Sequence, residues 1–257
     1  MSCPCGIATL PMYLGPLTRG PLQQLWHEVR ARLGHGPESL TQEAPDLFDL
    51  WESPDLLLGQ TCGLPFRSRL KGRVTYVGTT DPALPQTPPG HYRSVIVVRD
   101  DDPARDLQEL AGRPAAANEP VSQSGWAALS AHFAAAGVPL GPVRFTSAHR
   151  ASARAVATGR ADLAAIDLVT WSLMCAEGDL TAARLRMLDR TRPTPAHPII
   201  TAAGRDPAPL ARALAAALPR IAPGARRAFG ITRLLHLDEA EYFAVPPPPA
   251  PPGPVLS

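Results

Sequence analysis

Two short segments of this chain bring hydroxyls, a glycine and an imidazole to what read as helix starts. The first is Asn118-Glu119-Pro120-Val121-Ser122-Gln123-Ser124-Gly125-Trp126, lying between an apolar run and an Ala-rich stretch. A helix start offers unpaired backbone N–H groups and a partial positive charge, which suits an anion. Ser122 and Ser124 add hydroxyl donors, and Gly125 permits close approach to the backbone. Plain helix capping by serine is the alternative reading of the same residues. The second segment is Thr146-Ser147-Ala148-His149-Arg150-Ala151-Ser152. Here His149 is able to donate to an anionic oxygen and Arg150 to add charge; a solvated loop histidine is the alternative.

Two further positions belong to the same chemistry. Asp167 closes the apolar run Leu163-Ala164-Ala165-Ile166 and either reads a ligand amine or hydroxyl or caps the helix that follows. Gln60-Thr61-Cys62-Gly63 ends another apolar run, where small residues again allow a ligand near the backbone. Cys62 has no histidine nearby in sequence to act as its base, so it reads as a packed thiol and not a nucleophile. There is no Gly-x-Ser-x-Gly elbow, no phosphate loop ending in Gly-Lys-Ser/Thr and no His-Glu-x-x-His. Cys3, Cys5, Cys62 and Cys175 show no zinc spacing, and neither a metal site nor a disulfide framework is expected.

The elements that position these groups alternate. Apolar runs at Ile7 to Leu10, Asp55 to Gly59, Val74 to Val77, His91 to Arg99, Pro114 to Asn118, Val143 to Thr146, Leu163 to Asp167, Leu185 to Leu188 and Ile199 to Ala202 read as strands. Leu22, Leu25, Trp26, Val29 and Leu33 follow a helical spacing with Thr18 as N-cap and Gly34 as stop. A short helix carries Leu107 and Leu110. Helices are also expected over Gly125 to Ala136, Ser152 to Thr158, Pro207 to Leu218 and Arg226 to Phe229. Alternating strand and helix predicts an α/β sheet with helices on both faces, and in such sheets ligands gather beyond the carboxyl ends of the strands. Pro246 to Pro254 is mostly proline and reads as an extended, solvated tail, with a recognition role as the alternative.

The bulk properties narrow the class. The chain has 257 residues, 45% hydrophobic and 19% charged, enough for a substantial core. Its 25 basic and 23 acidic residues are dispersed, with no basic block of the kind that tracks a nucleic-acid backbone. No stretch approaches the roughly 18 apolar residues of a membrane span, so no membrane insertion is expected. The N-terminal residues lack the pattern of a secretory leader, and the expectation is a cytoplasmic protein as sequenced, or a periplasmic one if a leader is missing.

Taken in order, these segments resemble the phosphate/phosphite/phosphonate-binding proteins of ABC importers, a branch of the type 2 periplasmic-binding-protein fold. The matching residues are Leu10-Pro11-Met12-Tyr13, Asp55 through Gly63, Ser122-Gln123-Ser124-Gly125, His149 with Ser152, and Gly159 through Asp167. The resemblance implies two lobes, each a mixed sheet flanked by helices and joined by two hinge strands, with residues 1–92 plus 192–245 in lobe 1, 93–191 in lobe 2, and a disordered tail at 246–257. It implies a small anionic ligand held in a cleft between the lobes. Ser122, Ser124, Gly125 and His149 would meet its oxygens, Asp167 a ligand amine, and Tyr13 and Thr61 would contribute from lobe 1. It further implies a monomer that binds without catalysis, no cofactor, and an ABC permease as partner. Thr61-Cys62-Gly63 stands where many such receptors carry an aromatic residue, which tells against an aminoalkyl phosphonate. The rival is a cytoplasmic enzyme on the same two-lobed fold, resembling chorismate dehydratase or the thiamine-pyrimidine synthase.

Overall fold

The computed structural model describes residues 6–42 and 44–250; Cys3 and Cys5 lie outside the described residues. In chain order come β1 (Ile7–Thr9), α1 (Arg19–Leu33), α2 (Leu47–Trp51), β2 (Leu56–Gln60), α3 (Gly63–Arg67), β3 (Val74–Asp81), β4 (His91–Tyr92), β5 (Ser94–Arg99) and β6 (Ala115–Ala117). A π-helical turn, Gln123–Ala127, runs into α4 (Ala128–Ala135), followed by β7 (Val143–Phe145), α5 (His149–Ala157), β8 (Leu163–Asp167) and α6 (Leu168–Ala176). The chain ends through β9 (Leu185–Arg190), β10 (Thr194–Pro195), β11 (Pro198–Ala202), α7 (Ala208–Ala217), α8 (Pro223–Ala228), β12 (Arg233–Leu235) and α9 (Glu239–Phe243).

These elements form two compact units, one of Met1–His91 with Pro195–Val245, the other of Tyr92–Thr194 with Pro246–Ser257. The chain therefore passes between them at 91–92, 194–195 and 245–246, and β4 pairs with β10 in a two-stranded sheet at the first two passages. The first unit holds a mixed sheet in the order β1-β2-β11-β3-β12, with β1 and β2 parallel and β11 antiparallel to both β2 and β3. Its longest helix, α1, buries Leu22, Leu25, Trp26 and Val29 and is stopped by Gly34 at φ 74°, a left-handed value that glycine adopts without strain. Thr18 makes no side-chain cap; its hydroxyl instead donates to the Tyr13 carbonyl at 2.5 Å.

The second unit holds the sheet β7-β6-β8-β5-β9, in which β6 runs parallel to β7 and β8 while β5 is antiparallel to β8 and β9. Both faces of its inner strands β6, β8 and β5 are covered, which is why these read as nearly unbroken apolar runs. Along β5, Val95 and Val97 pack with Ala153, Val156, Trp171 and Met174 of α5 and α6, while Ile96 and Val98 pack with Trp126, Leu129 and Phe133 on the opposite face. Each of these buried aliphatic side chains stabilises the fold by about 1.5–3 kcal/mol relative to exposure, so the strand ends that carry the polar segments stand on a firm base.

Several expectations shift in detail. The predicted strand over His91 to Arg99 is interrupted at Arg93, and α5 begins at His149, three residues before the predicted start at Ser152. Ser152 is fully buried and its hydroxyl pairs with that of Thr146 at 2.7 Å, so this serine closes the turn from inside the helix and does not cap it. In the segment read as a solvated tail, the Pro249 carbonyl accepts a hydrogen bond from the Trp126 indole at 3.0 Å. Among the described residues no helix is long and apolar enough to cross a membrane.

Candidate functional site

In the second unit, β6, β7 and β8 direct their carboxyl ends at one rim, and the Ser122 and His149 turns follow β6 and β7 there. After β6 the chain bends through Asn118 to Ser122, whose extended backbone and side chain cap the π turn; Ser122 Oγ accepts from the Gly125 N–H at 3.0 Å. The Ala127 N–H donates to the Ser122 carbonyl five residues back, at 3.0 Å. This wider turn sets Ser124 and Gly125 where an ordinary helix start would not, and such insertions recur at functional sites.

The second turn is tied to the first. Ser147 adopts φ 66°, a costly left-handed value for a residue with a Cβ, and its N–H donates to the Asn118 carbonyl at 2.8 Å. His149 then opens α5, with Nε2 2.9 Å from Ser124 Oγ. Burial pushes the His149 imidazole down to about 4, opposed by the Ala165 backbone on β8, so the ring is neutral at neutral pH. A neutral ring has one N–H and one acceptor nitrogen, and the Ser124–His149 pair therefore shares a single hydrogen whose direction can reverse.

Asp167 joins this group through the sheet. It stands opposite Ser94 in the β5–β8 register, and the Ser94 hydroxyl donates to the Ser124 carbonyl at 2.7 Å. The side chain of Asp167 is buried and accepts from the N–H groups of Val169 and Thr170 at 2.8 and 3.2 Å, the capping alternative of the sequence reading. Ser122, Ser124, Gly125, His149 and Asp167 are thus gathered in one unit, linked by Ser94, which sequence reasoning passed over. Its signal lies only in strand register.

Two expectations about this site change. Gly125 does not present open backbone, because a Cβ at this position would sit 1.7 Å from Asn118 Oδ1. Glycine is needed there to seat the asparagine, whose Oδ1 is buried without a hydrogen-bond partner. Arg150 does not add free charge; it is paired with Glu177 at 2.7 Å and Asp179 at 3.3 Å. The donors that remain are neutral hydroxyls, an imidazole and backbone N–H groups, which bind oxyanions by oriented dipoles.

Tyr13 and Thr61 belong to the first unit. Tyr13 is buried edge-on against the His197 ring, with centroids 5.2 Å apart. Thr61 is fully buried just past β2, and its hydroxyl lacks a partner, as do Thr9 Oγ1 at the end of β1 and Gln60 Nε2 at the end of β2. Sequence reasoning missed Thr9 and named Gln60 only within its segment; polar residues ending apolar runs are the available signal. Cys62 is a buried thiol at the N-cap of α3. A separate cavity of about 400 Å³, lined by Arg99, Asp100, Asp101, Thr158 and Arg184, lies where β5 ends and β9 begins, away from the Ser94 end of the sheet. Arg99 there is paired with Asp101 at 2.8 Å.

The comparisons agree with this architecture. No curated protein matches the sequence. Among solved structures, the chain is similar to PhnD1 of Prochlorococcus marinus in complex with methylphosphonate, at TM-score 0.74 and 13% identity over 93% of this chain and 94% of that one. It is also similar to the binding-protein component of an ABC phosphonate transporter from Pseudomonas aeruginosa, at 0.67 and 12% over 93% and 83%. XAC2383 from Xanthomonas citri bound to ATP shares the fold at 0.63 and 18% over 88% and 95%. These likenesses establish a type 2 periplasmic-binding-protein fold. A family model described as "ABC transporter, phosphonate, periplasmic substrate-binding protein" matches residues 78–242, more than half of the chain. The chain belongs to the phosphonate-type periplasmic substrate-binding protein family of ABC transporters.

Proposed function

We propose that this substrate-binding protein takes a small phosphate- or phosphonate-like oxyanion at the turns bearing Ser122, Ser124 and His149, and passes it to an ABC permease from the periplasmic side. The observation that carries the reading is the 2.9 Å contact between Ser124 Oγ and His149 Nε2, which joins two helix starts distant in sequence. When an oxyanion arrives, the shared hydrogen is replaced by two donations, one from the serine hydroxyl and one from Nε2–H of the neutral ring. Hydrogen bonds to a charged group are each worth about 1.5–3 kcal/mol, more than the neutral bond they replace.

The same geometry sets preferences among ligands. Asp167 uses its carboxylate to cap α6, so a ligand ammonium competes with two backbone N–H groups for it. Methylphosphonate, phosphite and phosphate are therefore favoured over aminoethylphosphonate. Tyr13 and Thr61 are assigned to the ligand from the first unit on family resemblance, with Thr61's unpartnered hydroxyl in support. On this reading the protein binds without turnover and acts as a monomer.

Calorimetric titration of the purified chain with phosphate, phosphite, methylphosphonate and aminoethylphosphonate tests the proposal. Saturable heat with at least one of the first three, lost in His149→Ala, is the expected result. Absence of heat and of thermal stabilisation with all four refutes it.

A further inference from the structure

We propose that the proline run Pro246 to Pro249 is a working part of the second unit, holding the turn Gln123–Ala127 in its ligand-ready shape through Trp126. The functional consequence rests on the oxyanion reading of that turn; the structural claim does not.

Trp126 is the fourth residue of the π turn and only 1% exposed. Its ring packs edge-on against Phe145, with centroids 6.1 Å apart, and joins the cluster that contains Leu129 and Phe133. An indole N–H is a donor only, and once buried it requires an acceptor. The acceptor is the Pro249 carbonyl, 3.0 Å away and 123 residues later in the chain. Four consecutive prolines, Pro246 to Pro249, lead to it. Proline has no N–H, so the backbone of such a run offers carbonyls alone, and its fixed φ leaves little entropy to lose on docking. An aromatic donor meeting a proline-rich carbonyl is a general mode by which proline-rich segments are recognised; here both partners lie in one chain.

The docked ring and the unusual turn depend on each other. The π turn is defined by the Ala127 N–H reaching the Ser122 carbonyl and the Ala128 N–H reaching the Gln123 carbonyl. Relaxing it to an ordinary α-turn drops one residue and rotates everything before it by roughly 100° about the helix axis. Trp126 would then leave Phe145 and Pro249, and Ser124 would leave His149. Fixing the ring by the tail therefore opposes the relaxation that would dismantle the Ser124–His149 contact.

The test compares the full chain with a chain lacking residues 246–257 and with Trp126→Phe, which keeps an aromatic ring but removes the donor. Hydrogen exchange of peptides covering Gln123–Ala127, tryptophan emission and the affinity for methylphosphonate are measured in each. The expected result is exchange in this turn at least tenfold faster in both variants, unchanged exchange in α1 of the first unit, red-shifted emission on truncation, and affinity weaker by about tenfold. Exchange in the turn that is the same with and without the tail overturns the structural claim, and faster exchange with unaltered affinity overturns its functional consequence. If the full chain binds none of the tested anions, the oxyanion reading falls, and the exchange comparison alone decides whether the tail holds the turn.

Discussion

The two units solve the same packing problem and differ in how they treat polar groups at the strand ends. In the second unit the hydroxyls are already paired: Ser122 with the Gly125 N–H, Ser124 with His149, Ser94 with the Ser124 carbonyl, Thr146 with Ser152. In the first, Thr9 Oγ1, Gln60 Nε2 and Thr61 Oγ1 are buried at the ends of β1 and β2 with no partner. A buried polar group left unpaired costs about 1–3 kcal/mol, and folded proteins seldom tolerate it without a ligand, an ion or a water to complete it. The contrast holds for the hydroxyls: the second unit pairs those four, although Asn118 Oδ1 and His149 Nδ1 there are buried without a partner, whereas the first unit leaves Thr9 and Thr61 unpaired.

The largest expected effect on that contrast comes from His149→Ala. Removing the imidazole takes away one donation to the oxyanion and leaves Ser124 to find another partner, and the affinity should fall by on the order of 100-fold, about 2–3 kcal/mol. Titration calorimetry reads it; an unchanged affinity would mean that the preorganised pair is not where the anion sits.

Next is Gly125→Ala, expected to destabilise by roughly 1–3 kcal/mol because the new Cβ displaces Asn118 Oδ1. Asn118→Ala in the same chain should restore most of the loss in urea unfolding. Failure of that rescue would show that the glycine serves something other than the asparagine.

The neutral histidine predicts a pH effect of comparable size. His149 lies at about 4 when folded and near 6.5 when unfolded, so below 6.5 the unfolded chain binds the extra proton. Its contribution to stability is complete above pH 6.5, is lost as pH falls toward 4 and changes no further below that. The slope is at most about 1.4 kcal/mol for each pH unit. Denaturant midpoints of the wild type and His149→Gln between pH 7 and 4 should diverge in this window.

The smallest effects sharpen the contrast most cleanly. Thr61→Val keeps the shape and removes an unpartnered hydroxyl, so the ligand-free protein should be neutral or more stable by up to about 1 kcal/mol. Ser124→Ala removes a paired one and should cost about 1 kcal/mol. Equal losses at both positions would erase the distinction between the units.

Much of this arrangement was readable in the residues, and the exceptions have physical causes. β8 was legible over Leu163–Asp167 because both of its faces are buried, which yields an unbroken apolar run bounded by polar residues. The start of α5 was misplaced because Ser152 satisfies the preference for an N-cap, whereas the true cap, Ala148, contributes no side-chain bond and tertiary contacts set the boundary. The π turn left no trace in composition; its extra residue shows only in the backbone bond from the Ala127 N–H to the Ser122 carbonyl. Ser94 was invisible as a site residue since its place opposite Asp167 is a matter of cross-strand register. The short helices α2 and α9 and the strand β12 have too few residues to show a period.

The most direct test of the central claim follows the ring nitrogens of His149 by NMR while methylphosphonate is added. The account predicts a saturable shift of Nε2 that tracks the calorimetric binding curve and is altered in Ser124→Ala. Saturable binding that leaves the His149 resonances where they were would contradict it.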